Sequence, residues 1–374
     1  MAKKLGLIVN PFAGMGGRVG LKGSDGKETI RRAIELGAKP EAPGRAVEAL
    51  KALGDLLGQI ELVTYPHEMG EAEARQAGLS PTVLGSIAQG ETTPEDTERA
   101  ARELLAYGVD LLLFVGGDGT ARNVCSAIGQ NLPALGVPAG VKIHSAVYAT
   151  TPRSAGDLAR LVLEERVGRM QDAEVMDIDE EAFRQGRVSA TLYGYLRVPA
   201  DQTHVQNMKS GRAPGDEAAV GAIAEHIVED MEENPDRLYV LGPGTTTKAI
   251  KDRLAIPGTL LGVDVVRDQK LLAADVGEQR LLELLSGHPA TVVVTIIGGQ
   301  GYIFGRGNQQ PSPRVLAAVG LENIVVVATR DKLIGLRGAP LLVDTGDPET
   351  DRRLGGYRRV VTGYHDTFVY RVEA

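Results

Sequence analysis

Short unbroken apolar runs alternate with amphipathic stretches along the first half of the chain. Leu5-Gly6-Leu7-Ile8-Val9, Leu111-Leu112-Leu113-Phe114-Val115 and Pro133-Ala134-Leu135-Gly136-Val137 contain no polar position. That pattern predicts strands buried on both faces, as in a parallel sheet. Ile60–Thr64 predicts another strand, and residues 83–87 fit either a strand or a helix. Residues 44–57 predict a helix, with Val47, Leu50, Leu53 and Leu57 on one face. Glu68–Ala77 suits a second helix. Pro94–Tyr107 predicts a third, with Thr93 as N-cap, Pro94 in the first turn and Gly108 as the stop. Strand and helix alternating in this way predict a doubly wound α/β sheet, whose ligands gather at the carboxyl ends of the strands.

The pattern changes near residue 170. Strands are expected at 173–178 and 188–198, then a polar segment rich in glycine and proline over 199–215. A helix is expected over Asp216–Met231 and another over 277–286. Further strands read at 237–241, 259–266, 291–297, 323–328 and 341–344, with a closing hairpin at 358–372. With 374 residues, more than one compact domain is expected. The change of pattern divides the chain into 1–168, an α/β domain, and 169–374, a β-rich mixed domain whose last segment could return to the first.

Candidate chemistry collects where strands end. The run at 111–115 breaks into Gly116-Gly117-Asp118-Gly119-Thr120 and then into the helical stretch Ala121-Arg122-Asn123-Val124-Cys125. Glycines admit another molecule to bare main-chain N–H groups, and a helix N-terminus favours an anion there. Asp118, alone among those amides, could carry Mg²⁺ on a phosphate or take the proton of an attacking hydroxyl. It could also simply cap the helix. Asn10-Pro11-Phe12-Ala13-Gly14-Met15-Gly16-Gly17 is a second glycine-rich loop after a buried strand, without the lysine-serine ending of a P-loop. Lys22 and Lys27 follow it and could neutralise phosphate. Pro138–Ser145, containing Lys142, ends a third strand. Gly242-Pro243-Gly244-Thr245-Thr246-Thr247-Lys248 is a fourth such loop, which could hold phosphate or ribose or serve as an N-cap. Gly298–Gln310 fits either a nucleotide-facing surface or a bulged hairpin.

Composition narrows the options. A net charge of −8 with no basic run argues against a nucleic-acid partner. No apolar run reaches transmembrane length, and the apolar part of the N-terminus is short for a signal peptide, so a cytoplasmic protein with no membrane partner is expected. A single cysteine, Cys125, allows no intramolecular disulfide. The histidines show no His-x-x-x-His spacing, so no transition-metal site is expected from sequence.

Taken together, these motifs resemble the NAD kinase superfamily and, within it, the NAD-kinase-like AcoX branch. Asn10-Pro11-x-Ala13-Gly14 is similar to the first phosphate loop shared with diacylglycerol and sphingosine kinases. Gly116–Thr120 is similar to the motif that defines the superfamily, and Gly242–Thr247 stands where its second domain carries a glycine/threonine loop. The resemblance implies an active site in a cleft between an α/β and a β-rich domain, a homo-oligomer, Mg²⁺ with ATP, and small-molecule nucleotides as partners. It further implies γ-phosphoryl transfer to the 2′-hydroxyl of NAD(H). Asp118 would then be the catalytic group. Asn10, Gly14, Lys22, Gly116, Gly117, Gly119, Thr120, Arg122, Asn123, Lys142, Thr245, Thr246 and Thr247 would bind nucleotide. The Asn-Glu pair that holds the acceptor in such kinases has no clear counterpart; Asn123, Asp201 and Asn207 are the candidates. A kinase for another small polyol or nucleoside-like metabolite, or a silent nucleotide sensor, fits the same loops.

Overall fold

In the computed structural model the apolar runs of the first half form a five-stranded parallel sheet. Residues 3–21, 26–140, 143–167, 169–178, 190–200, 216–297 and 301–374 are described. The strands are β1 (Lys3–Val9), β2 (Ile60–Thr64), β3 (Thr82–Val83), β4 (Leu111–Gly116) and β5 (Ala134–Pro138), in the order β3-β2-β1-β4-β5. Strand order reverses between β1 and β4, which makes their carboxyl ends the topological switch point.

Alternate side chains of each strand serve opposite faces. Leu5, Leu7, Leu111, Leu113 and Val115 pack with α2 (Ala42–Ala52) and α6 (Pro152–Leu163). Ile8, Leu112 and Phe114 pack with α4 (Pro94–Tyr107) and α5 (Asp118–Ile128). Two short helices, α1 (Lys27–Glu35) and α3 (Glu71–Gln76), complete this part. The helix expected over 44–57 ends earlier, because Gly54 turns to φ +57° and a 3₁₀ turn follows.

The expected boundary at 168/169 does not divide the molecule. The hairpin of β6 (Met170–Ile178) and β7 (Ala190–Pro199) buries Ala173, Val175, Leu196 and Val198 in the core beside α5. Its edge is tied down by Met176 N–H donating to Ser145 Oγ at 2.9 Å. The first compact unit is accordingly Met1–Met15 with Gly23–Met208, and the second is Gly16–Lys22 with Lys209–Ala374.

The second unit is built on a nine-stranded mixed sheet. Its strands are β8 (Leu238–Leu241), β9 (Asp264–Arg267), β10 (Lys270–Ala273), β11 (Ala290–Thr295), β12 (Tyr302–Phe304), β13 (Ile324–Val327), β14 (Leu341–Val343), β15 (Gly356–Gly363) and β16 (Asp366–Glu373). They run in the order β10-β9-β8-β11-β13-β15-β16-β14-β12. The closing hairpin, β15–β16, therefore lies inside this sheet and does not return to the first unit. Helices α7 (Asp216–Glu233), α8 (Thr245–Arg253), α9 (Glu278–Leu285), α10 (Pro313–Val319), α11 (Arg330–Gly335) and α12 (Pro348–Leu354) surround it. The strand expected to begin at 259 begins at Asp264. Thr259 is instead held in a turn, its N–H donating to Asp264 Oδ2 at 2.7 Å and its carbonyl accepting from Lys251 Nζ at 2.8 Å.

A strap from the N-terminal part of the chain completes the second unit. Glu278 N–H donates to the carbonyl of Arg18 at 3.0 Å, and Arg18 Nη2 donates to the carbonyl of Thr345 at 3.4 Å. Among the described residues no helix is long and apolar enough to cross a membrane.

Candidate active site

Three loops meet at the carboxyl edge of the five-stranded sheet. After β4, Gly117 becomes the N-cap of α5 without a side chain to cap with, and Asp118 is the first residue of the helix. The first amides of any helix lack an intrahelical acceptor, so this end presents N–H groups and the positive end of the helix dipole. Asp118 does not bond back to its own helix. Its carboxylate reaches across to the β5 loop, with Oδ2 accepting His144 N–H at 2.8 Å and Oδ1 accepting Ser145 N–H at 2.9 Å. His144 Nδ1 lies 3.4 Å from Oδ2 but is not aligned to hydrogen-bond with it. Each oxygen thus keeps a lone pair beyond the one its amide takes.

The same loops touch through bare backbone. A Cβ on Gly117 would stand 3.0 Å from Gly140 Cα, and one on Gly140 would stand 2.7 Å from Gly117 Cα. Gly14 has φ +79°, and a Cβ there would lie 2.0 Å from the carbonyl oxygen of Ala139. Side chains at these positions would drive the loops apart. Their absence leaves a cradle of bare main chain where the loops meet.

Polar bonds lock the cradle. Asn10 Nδ2 donates to Thr120 Oγ1 at 3.0 Å, while its Oδ1 accepts Phe12 N–H at 3.1 Å and its own N–H donates to Val115 O at 3.0 Å. Asn10 therefore joins the first loop to α5 and has no main-chain N–H left for a ligand. Tyr148 OH donates to Gly117 O at 2.6 Å, and buried Arg45 donates through Nη1 to Pro138 O at 3.2 Å.

In the second unit, Gly244 precedes α8, whose first residues are Thr245, Thr246 and Thr247. Thr246 and Thr247 are buried and Thr245 is exposed. Thr247 Oγ1 donates to Gly244 O at 3.0 Å, closing the turn on itself. Lys332 Nζ donates to Thr246 Oγ1 at 2.8 Å and reaches Thr245 Oγ1 at 3.4 Å. Of the Gly298–Gln310 loop, the described part is an ordered turn. Gly305 and Asn308 bond to each other, and Arg306 is buried with its guanidinium 4.7 Å from the centre of the Tyr302 ring.

Comparison with known proteins decides what this architecture is. Residues 5–167 match the ATP-NAD kinase N-terminal domain, and residues 235–372 match the ATP-NAD kinase C-terminal domain. The chain belongs to the ATP-NAD kinase family. No curated protein matches it. Among solved structures it is similar to a putative diacylglycerol kinase from Bacillus anthracis str. Sterne, with 17% identity and a TM-score of 0.24 over 48% of this chain and 46% of that one. A second diacylglycerol kinase structure from the same organism gives 16% identity and a TM-score of 0.23 over 48% and 47%. The chain thus matches less than half the length of either.

For this ATP-NAD kinase family member, the structure brings Asn10, Gly14, Gly116, Gly117, Asp118, Gly119 and Thr120 together at one sheet edge. Arg122 and Asn123 follow on α5, each half-buried. Lys22, Lys142, Asp201 and Asn207 lie outside the described residues. Thr246 and Thr247 direct their hydroxyls into the fold. Sequence reasoning missed His144 and Ser145 as partners of Asp118, and Tyr148 and Arg45 as supports of the loops. The signal for the first pair was present, since they close the Pro138–Ser145 segment. Nothing local marks Tyr148 or Arg45.

Proposed function

We propose that this protein is a phosphotransferase of the NAD kinase type, moving the γ-phosphoryl group of Mg²⁺-ATP to the 2′-hydroxyl of NAD(H). One observation carries the reading: a carboxylate, Asp118, is fixed by two backbone amides at the mouth of a cradle built from bare main chain. Phosphoryl transfer asks a protein mainly for positioning and for neutralisation of charge, and those are what the cradle offers. The first-turn amides of α5 would hold phosphate oxygens. Asp118 would orient the acceptor hydroxyl and accept its proton as the new O–P bond forms and the bond from the γ-phosphorus to the bridging oxygen breaks.

The residues present suit Mg²⁺ carried on the triphosphate. Gly14, Gly117 and Gly140 let the loops close on one another with no side chain between them, and Asp118 retains lone pairs that can meet the ion or its water. The ion would supply charge neutralisation on the phosphates. NAD(H) as acceptor, the AcoX-like branch and a homo-oligomeric state belong to the same reading and rest on the family and the loop motifs.

The test is an acceptor panel. Purified protein is given Mg²⁺-ATP with NAD, NADH, nucleosides and polyols in turn, and ADP and NADP(H) are measured. The expected result is NADP or NADPH formation that falls at least about a hundredfold in Asp118→Asn while nucleotide binding persists. ADP release with a polyol alone would replace the acceptor and keep the reaction class. ATP binding without any acceptor-dependent turnover would make the protein a sensor.

A further inference from the structure

A second cluster of chemistry lies in the second unit, in residues that the proposed reaction does not use. On α7, His226 and Glu229 are three residues apart and share a helix face. The turn between β15 and β16 brings His365 to the same place. One ligand atom from each of the three residues falls within 4.8 Å of the others. We propose that His226, Glu229 and His365 bind a first-row divalent transition-metal ion, zinc foremost.

The geometry is close to that of a bound site. Ligands at the usual zinc distances of roughly 2.0–2.1 Å stand about 3.3 Å apart along a tetrahedral edge. His365 Nε2 and Glu229 Oε2 are 3.2 Å apart. This pair already has the spacing an ion requires, and a small side-chain movement brings in His226. The rings of His226 and His365 meet edge to face, with centroids 5.0 Å apart.

Surrounding groups prepare the ligands. Tyr364 OH donates to Glu229 Oε1 at 3.0 Å, orienting the carboxylate so that Oε2 faces the imidazoles, as outer partners of metal ligands do. The turn is held by Thr362 Oγ1 donating to Asp366 Oδ2 at 2.6 Å, and by Arg330 bonding both oxygens of Asp366. His226 Nδ1 is buried and makes no hydrogen bond. A buried polar atom without a partner is costly, and the His365–Glu229 contact alone leaves that cost in place. A cation bound by all three residues gives the His226 ring a role.

The donor set selects the metal. Two imidazoles and one carboxylate suit zinc, cobalt, nickel or copper, whereas Mg²⁺ prefers oxygen ligands. Three protein ligands leave a fourth position for water. Glu229 and His365 are partly open to solvent, so an ion can enter. A bound ion would staple α7 to the β15–β16 turn.

The experiment uses full-length protein stripped with chelator and dialysed. Zinc binding is read by calorimetry, and cobalt binding by the visible bands of the four-coordinate ion. One zinc per chain is expected, not displaced by excess Mg²⁺, with a rise in Tm on saturation. His365→Asn is the decisive variant, because its backbone sits at φ +49°, which asparagine tolerates, and its side chain is exposed. It should fold normally and lose the zinc-dependent Tm shift and the cobalt bands, and His226→Gln and Glu229→Gln should weaken both. Equal zinc stoichiometry and affinity in wild type and His365→Asn would overturn the assignment, as would no binding by the wild type.

Discussion

Tyr148 OH donates to the carbonyl of Gly117 at 2.6 Å, so an aromatic side chain beyond β5 fixes the peptide immediately before Asp118. The ring also packs edge-on against Phe114 of β4, with centroids 5.3 Å apart. Tyr148→Phe keeps that packing and removes the bond, at a cost to stability of about 1 kcal/mol. Because the bond positions the loop and touches no substrate, kcat should fall several-fold with KM for ATP little changed. A drop in Tm with unaltered kcat would make Tyr148 a packing residue only.

Gly14→Ala tests the approach of the first loop to the β5 loop. The backbone there is at φ +79°, and the added methyl would meet the Ala139 carbonyl. Left-handed strain and overpacking act together, so a loss of roughly 1–3 kcal/mol is expected in urea unfolding. ATP affinity should weaken more than in Gly37→Ala, where φ is similar but no atom lies within 4 Å of the new Cβ.

Lys251 and Asp264 form a fully buried ion pair at 2.7 Å. Burial pulls the lysine below its ordinary pKa and the aspartate opposes that shift. Asp264 also accepts from Thr259 and from Asp275 N–H, so Lys251→Met would strand a carboxylate that remains hydrogen-bonded but uncompensated. Breaking one side of such a pair costs about 3–5 kcal/mol. Chemical denaturation should show that loss, and Lys251→Met/Asp264→Asn should recover part of it.

Glu73 of α3 predicts a pH dependence. Burial pushes its carboxyl up to about 7 from an ordinary value of 4.5, and its Oε2 makes no hydrogen bond. Between those two values the folded protein holds a proton that the unfolded chain has released. Stability is therefore greatest below the lower value, falls as pH rises through the window and levels off above about 7, by an amount of order 3 kcal/mol at most. Glu73→Gln should flatten that slope in Tm measured across the window. A slope identical to wild type would assign the dependence to another group.

Where the determinants of structure are local, the sequence announced them. Thr93 caps α4 and pairs reciprocally with Asp96, Pro94 fills the first turn and Gly108 closes it in the left-handed region, as the residue types required. The runs that became β1, β4 and β5 carried their burial in composition alone. The Gly116–Thr120 loop was legible as a strand-to-helix turn for the same reason. The partners of Asp118 were not, because backbone amides of residues 144 and 145 have no signature of their own. The β6–β7 hairpin looked like the start of a new domain, as its alternation fits any apolar surface and only tertiary packing selected α5. The hydroxyls of Thr246 and Thr247 looked available until Gly244 and Lys332 were seen to engage them. The histidine cluster escaped a search for fixed spacing because His365 reaches α7 from a remote hairpin.

The strap that follows Met15 makes the two units discontinuous in sequence. The chain leaves the first unit after the Asn10–Gly14 loop, enters the second at Gly16, is back in the first by α1, and leaves again before α7. No single cut yields two self-sufficient halves. A fragment beginning at α7 would lack the segment whose Arg18 carbonyl receives Glu278 N–H, and a fragment ending after β7 would carry that segment without its partners. The protein is therefore a poor source of separable modules.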